Sequence, residues 1–596
     1  MFCTLTSGRK MLLVLDDATD ADQVRALLPG NAGCAVLVSS RRTLAELAGA
    51  ERVVLPPLAA AEAIDLLARI AGSARIAVEP AAAALLAETC AGLPLAVRVA
   101  GGRVASRPAW PLAIFADRLA NSTRRLDELR LGNLAVRASL QLSYETLPAV
   151  QSWAFRMIGQ WPSSELPADF AAALLSRSAA EVDEVLDPLV DLHLLESPTP
   201  DMFHIHDLLH LYARELSDRT ETDAERESVA VRMMTFAGST SQHALAVMVP
   251  RRVPDRPQDV VHSPLRLTFT DSSAARAWLD RMSSSLFQLI RQIPLTSGVV
   301  EPGAHLALLL GRYCHLRGDW LGFERSARRA LELAESIGDG RLAARACISL
   351  ALCLDGLYRS AEAQPLHERA LDFFRKTSDQ LNELRVLVNI GSSYGRRRRN
   401  AEAAGFYQEA LTVATALGEQ EIQIIALINS GESLNGLDRP VEARAYARRA
   451  VNLCDKVGDQ GAKAIALGTL GESLTALDDR PAALVAPNES LRLAERTGDR
   501  KCVAESALRL AAFYRLGCDD AAAVNWAQQA LRTYDDDESR YGRARVLMEL
   551  GQIRAAAGDH SKADLTWRAA ADIFSALGAP EADVVADLLA TVSGRR

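Results

Sequence analysis

From about residue 301 the chain of 596 residues repeats with a period of 40, which limits that half to a stack of like units. Ala363, Ala403, Ala443, Ala483, Ala523 and Ala563 stand at one phase of the repeat. Twelve residues earlier come Ala351, Gly391, Gly431, Gly471, Ala511 and Gly551; seven residues later come Ala370, Ala410, Ala450, Ser490, Ala530 and Ala570. Side chains this small are needed where two antiparallel helices of one unit approach closely and the next unit stacks on them. Most units end in a turn such as Gly338-Asp339, Ser378-Asp379, Gly418-Glu419, Gly458-Asp459 or Gly498-Asp499. Glycine suits the C-cap of one helix and the acid suits the N-cap of the next.

The three small-residue columns form the skeleton of the tetratricopeptide repeat, lengthened here to 40 residues; HEAT-type units also reach this length. About seven units fit between residues 301 and 585, the first atypical with Phe323 in the alanine column, as a capping repeat would be. Pro365 falls near the start of a second helix, and Pro487 falls inside one, where a kink is expected. A stacked array offers a concave groove to a protein or peptide, and packing against the N-terminal half is the alternative use of that surface. Arg396–Arg399 is a run of four cations between helices, either a solvated turn or a grip for an acidic partner.

Composition adds boundaries. Nine scattered Cys with no C-x-x-C spacing argue against a disulfide frame or zinc site. No apolar run is long enough to span a membrane, and residues 1–10 carry no signal-peptide core, so a cytoplasmic location is expected. The net charge of -8 gives no whole-chain argument for nucleic-acid binding.

The N-terminal part reads as α/β. Met11–Asp17 (MLLVLDD) is an apolar run ending in two carboxylates, the shape of a Walker B strand. A helix Ala21–Leu28, a strand Ala35–Ser39 and the apolar Val53–Leu55 follow, with helices from Ala59, Pro80, Pro94 and Trp110. A parallel sheet is implied by strands alternating with helices. No phosphate-cradling G-x-x-x-x-G-K-[ST] loop occurs in the sequence. Residues 131–217 read as four helices and a short hairpin ending at Met202–His206, a helix-turn-helix with a wing. Between 131 and 215 there are 4 Arg, no Lys and 12 Asp and Glu, a net of −8, the wrong sign for binding nucleic acid directly. His204, His206 and His210 lack a fourth ligand or a nearby Cys, so a metal site is not expected there.

Five segments in order carry a family resemblance: Leu12–Asp17 (LLVLDD), Val38–Arg42 (VSSRR), Gly92–Ala96 (GLPLA), Leu142–Pro148 (LSYETLP) and Ile205–Leu209 (IHDLL). Together they resemble the NB-ARC domain of STAND-type signalling ATPases. With the repeats behind, the chain resembles actinobacterial AfsR/SARP-type transcriptional regulators from Arg9 onward, and Gly8-Arg9 is similar to the family's lead-in to the Walker B strand.

The resemblance implies a role for each matching residue. Asp16 would hold Mg²⁺ and Asp17 would orient the attacking water; their alternative is a helix N-cap after a strand. Arg41 would sense the terminal phosphate, or else be a surface arginine. Pro94 would pack on adenine while starting a helix. His206 would reach the β-phosphate of ADP, and Asp207 would cap the helix Leu208–Leu216. Without the P-loop, Asp16 and Asp17 are expected to be inactive, ATP turnover near zero and ADP or ATP binding with Mg²⁺ residual at best.

The expected fold is mostly α: a partial α/β P-loop NTPase remnant, helical and winged-helix domains, then an α-solenoid of tetratricopeptide repeats. The expected bounds are 1–70 for the incomplete nucleotide-binding part and 71–130 for the helical domain. The winged helix takes 131–217, and a linker marked by Pro250, Pro254, Pro257 and Pro264 with a helical platform takes 218–300. The array takes 301–585 and a tail 586–596. The expected function is regulatory protein binding linked to transcription, with no enzyme activity and possible association with full-length relatives. The alternatives are an ATPase completed by an upstream P-loop segment and a plain repeat scaffold.

Overall fold

The computed structural model describes residue 6 and residues 9–30, 33–120, 125–131, 134–248, 262–295, 298–536 and 540–593. Gly8, Pro250, Pro254 and Pro257 lie outside the described residues. Two compact units share the chain, the first ending at Leu306 and the second continuing from Ala307.

The first unit opens with β1 (Leu12–Ala18), α1 (Ala21–Ala26) and β2 (Ala35–Ser40), the two strands parallel with Leu12 opposite Ala35 and Val14 opposite Leu37. Leu12, Val14 and Leu37 are each at least 60% exposed, so this sheet leaves an apolar surface in water. Val53, Val54 and Leu55 are exposed and form no strand. Helices follow: α2 (Ala60–Ala71), α3 (Ser73–Val78), α4 (Pro80–Thr89), α5 (Pro94–Ser106), α6 (Leu112–Ala120) and α7 (Arg125–Glu128). Their cohesion rests on Leu67, Leu86, Val97, Val104 and Leu112, each almost fully buried. Two short strands, β3 (Arg130–Leu131) and β4 (Leu134–Ala135), pair as an antiparallel ladder.

Next come α8 (Val136–Glu145), α9 (Ala149–Ile158), β5 (Glu165–Pro167), α10 (Ala168–Leu175), α11 (Ala179–Asp191), β6 (Glu196–Thr199), β7 (Met202–His204) and α12 (Asp207–Thr220). The strands form an antiparallel sheet in the order β5-β7-β6, with Glu165 opposite His204. Trp161 anchors the core: its indole donates to the Glu165 carbonyl at 2.6 Å and its ring lies 4.6 Å from Phe170. A long helix, α13 (Asp223–Met248), and α14 (Ser272–Gln292) complete this packing. Phe236 of α13 meets Phe170 edge-on at 4.9 Å, and the Trp278 indole of α14 donates to Asp169 at 3.1 Å.

The repeat helices are paired: α15 (Val300–Arg317) with α16 (Trp320–Ser336), α17 (Gly340–Gly356) with α18 (Ser360–Lys376), and α19 (Gln380–Arg396) with α20 (Asn400–Leu417). Then come α21 (Gln420–Asn435) with α22 (Pro440–Val457), α23 (Gln460–Ala476) with α24 (Arg480–Thr497), and α25 (Arg500–Leu516) with α26 (Asp520–Asp536). The last pair is α27 (Arg540–Ala556) with α28 (His560–Leu577), followed by α29 (Glu581–Ser593), so the expected tail is helical as far as it is described. The chain is a mostly α protein carrying an α-solenoid of tetratricopeptide type.

Both alanine columns are buried throughout, from Ala363 to Ala563 and from Ala370 to Ala570. The glycine column explains why. A Cβ on Gly391 would lie 2.6 Å from the Tyr407 ring, one on Gly551 2.4 Å from Trp567, and one on Gly471 2.8 Å from Pro487. Each glycine is the hole for a large residue four places after the conserved-phase alanine. Pro487 therefore packs as a knob inside α24, which spans Arg480 to Thr497. The turns follow the capping logic: Gly418, Gly458 and Gly498 take left-handed C-cap conformations, and Asp339, Asp459 and Asp499 accept the backbone N–H three residues on.

Candidate functional site

Asp16, Asp17, Arg41, Pro94 and His206, singled out by the family resemblance, fall into two local constellations. At the ends of β1 and β2, the Ser39 hydroxyl donates to the Asp16 carboxylate and accepts the Asp17 N–H at 3.0 Å. Asp17 sits in the left-handed region, φ 55°, which a short acidic side chain tolerates. Its carboxylate pairs with Arg41 Nε at 3.2 Å, so the acid and the arginine are each other's partner. Beyond Arg41, the Thr43 N–H donates to the Asp191 carbonyl, 3.2 Å away, tying this loop to the end of α11.

The second constellation surrounds the start of α5. Pro94 is the first residue of that helix, where its missing N–H costs nothing. Ala91 and Gly92 both have positive φ, turning the chain sharply before it. A Cβ on Gly92 would lie 2.5 Å from the Leu58 carbonyl oxygen, so only glycine fits that approach. His206 lies against this turn: its Nε2 is 2.8 Å from the Ala91 carbonyl oxygen, and its Nδ1 accepts the Leu208 N–H at 3.3 Å. Because Nδ1 accepts, the neutral ring carries its proton on Nε2 and donates it to Ala91. His206 itself is thus the N-cap of α12, the role expected of Asp207, which is the first helical residue instead.

Asp16 is held by Ser39, Asp17 pairs with Arg41, and both His206 nitrogens meet the backbone. Among the described residues no three His, Cys, Asp or Glu side chains are grouped to hold a metal. His210 spends Nε2 on the Trp161 carbonyl at 2.8 Å. Ser39, the Ala91-Gly92 turn and Asp191 escaped the sequence reading as partners, although Ser39 stood in plain view inside the VSSRR segment.

In the second unit, the first helices of successive pairs touch one another, while the second helices of successive pairs scarcely do. The first helices α17 to α27 therefore lie on the inside of the curvature. One stripe of that face carries Ile425, Asn429 and Glu432 on α21, Ile465, Thr469 and Glu472 on α23, and Glu505 and Arg509 on α25. Arg509 reaches Glu432 at 3.4 Å and Glu472 at 3.9 Å, and Arg545 pairs with Glu505 at 2.6 Å. Ile425 and Ile465 are 42% and 38% exposed there. The Arg396–Arg399 run is largely engaged within the array: Arg396 faces Asp355 at 3.5 Å, Arg397 and Arg399 lie over the Tyr394 ring, and Arg399 pairs with Glu402.

The sequence itself decides the kinship. Regulatory protein AfsR of Streptomyces griseus is 33% identical over 387 residues, covering 64% of this chain and 39% of that protein. Regulatory protein AfsR of Streptomyces coelicolor is 32% identical over 446 residues, covering 65% of this chain and 44% of that protein. The chain is similar to the AfsR regulatory proteins over about two thirds of its own length. It spans less than half the length of either AfsR relative. Disease resistance-like protein DSC1 of Arabidopsis thaliana is a more distant relative, 26% identical over 47% of this chain and 22% of its own length. No protein-family model matches. Among solved structures, a STAND protein with a tetratricopeptide repeat sensor from Pyrococcus horikoshii aligns with 98% of this chain and 83% of its own, at 14% identity and a TM-score of 0.39. A Rap protein complexed with Competence and Sporulation Factor aligns with 63% of this chain and 93% of its own, at 13% identity and a TM-score of 0.44. Those two likenesses are too loose to carry function from one protein to the other.

Proposed function

We propose that this chain is a STAND-type regulatory protein linked to transcription, in which the tetratricopeptide array holds a protein or peptide partner on its inner face. The NB-ARC-like module, with its winged-helix part at 131–217, has nucleotide recognition that is residual at best. The observation that carries this reading is the contrast between the two candidate sites. The expected nucleotide residues Asp16, Asp17, Arg41 and His206 have partners within the fold, whereas the inner face of the array leaves Ile425 and Ile465 open beside charged groups. The kinship to AfsR regulators supports the regulatory half of the proposal.

Two experiments test the division of labour. Titration of ADP into the full chain by calorimetry is expected to give little or no heat; metal-dependent hydrolysis of labelled ATP that disappears in Asp17→Asn would overturn this half. Deleting residues 1–217 is expected to leave partner capture by the array intact, and its loss would place recognition in the N-terminal module.

The exposed β1–β2 surface favours a second reading. Leu12, Val14 and Leu37 would be covered if further polypeptide completed the sheet, and a completed sheet is the setting in which Asp16 and Asp17 could serve ATP hydrolysis. Restored turnover on supplying a P-loop segment in trans would support it; no turnover would leave the first reading alone.

A further inference from the structure

In a solenoid each repeat touches only its neighbours. One contact in the second unit reaches far beyond the neighbouring repeats. Tyr358, in the turn between α17 and α18 of the second pair, lies 5.8 Å ring to ring from Tyr541 on α27 of the seventh. It packs against the buried cluster of the last repeat, which includes Ala544, Trp567, Phe574 and Val585. A Cβ placed on Gly578, the left-handed C-cap of α28, would lie 3.9 Å from Tyr358 Cβ. Tyr541 is held in turn, edge-on to Phe574 at 5.7 Å and donating its hydroxyl to Glu581 at 3.0 Å. Tyr358 has φ 57°, the same turn conformation as Arg398, Asp438, Asp478 and Cys518 in the next four pairs, but at this turn the residue is an aromatic one.

Side chains from separate pairs also meet on the inner face. Glu432 of α21 bonds to Arg509 two pairs further on, and within one pair the Tyr534 hydroxyl donates to Glu505 at 2.7 Å.

We propose that the Tyr358–Tyr541 contact is a latch that closes the array into a ring, and that a partner reaches the inner face only when the latch opens. The second clause rests on the reading of the inner face as the partner site. The latch itself is testable without any partner, so its failure leaves that reading untouched.

The test uses the full chain with spin labels at Ala361 and Ala576, two exposed positions flanking the contact. Pulsed dipolar spectroscopy is expected to give one short, narrow distance in the parent and in Y358F, which keeps the ring. A longer, broader distribution is expected in Y358N, where asparagine suits the left-handed backbone but cannot span the gap. A broad distribution in the parent, or an unchanged one in Y358N, would overturn the latch. For access, a cysteine at I465C is labelled with a small and a polymer-linked maleimide and read by peptide mass spectrometry. Y358N is expected to speed the bulky reagent several-fold and leave the small one unchanged; equal rates with both reagents would overturn the gating. Circular dichroism checks that Y358N stays folded, and if it does not, the parent distance distribution alone decides the latch.

Discussion

Two histidines show how a single side chain sets stability in each unit. His210 is half-buried in the first unit with Nε2 on the Trp161 carbonyl. Burial lowers its pKa below the ordinary 6.5, outweighing the hydrogen bond that raises it. The unfolded chain therefore binds the proton more readily, so the first unit should lose stability as pH falls below about 6.5. Melting curves from pH 7.5 to 5.5 are expected to fall more steeply for the parent than for His210→Gln; parallel curves would contradict this. In the array, His367 donates to Asp355, which is almost fully buried and also accepts from Ser360 at 2.8 Å and Ser393 at 2.7 Å. Burial alone would raise that carboxyl, but His367, Ser393 and Arg396 together hold it below its usual value. This stabilisation is complete above the ordinary Asp pKa of 3.8 and is lost as pH falls below it. Asp355→Ala should destabilise the array by about 3–5 kcal/mol, the cost of leaving a buried partner unpaired, read from chemical denaturation.

At the scale of the helix, knobs and holes decide register. Gly391 faces Tyr407 so closely that Gly391→Val should overpack the pair by about 1–3 kcal/mol. Adding Tyr407→Ala should recover part of that loss, and strict additivity of the two changes would refute the pairing. This scale also shows what was legible in the sequence. The period of 40, the alanine and glycine columns and the Gly-Asp turns announced the repeat helices because every unit faces the same packing problem. Pro487 shows what spacing alone could not: its ring fills the space over Gly471 inside a helix that runs from Arg480 to Thr497. Helix α13 was hidden for the opposite reason. Its middle buries Met233, Phe236, Ser239, Thr240 and Ser241 alike, so no apolar stripe marks it. At the candidate nucleotide site the sequence named Asp16, Asp17, Arg41, Pro94 and His206. It could not show that Asp17 and Arg41 neutralise each other, or that His206 meets the Ala91 carbonyl, because both are contacts between residues distant in sequence.

Across the whole molecule, the two halves of the sequence reach different ends. The first unit keeps strand ends and turns like those of a nucleotide switch, but their polar groups face one another. The second unit turns the first helix of each pair inward and leaves apolar and charged groups together on that face. Partner binding by that face is therefore the central claim. A photo-crosslinking residue placed at Ile465, on the inner face, and in a separate protein at Val485, on the second helix of the same pair and 65% exposed, tests it in the full chain in its own cells. The account predicts a discrete crosslinked polypeptide from position 465 and none of comparable yield from 485. Equal yields at both positions, or adducts from 485 alone, would contradict it.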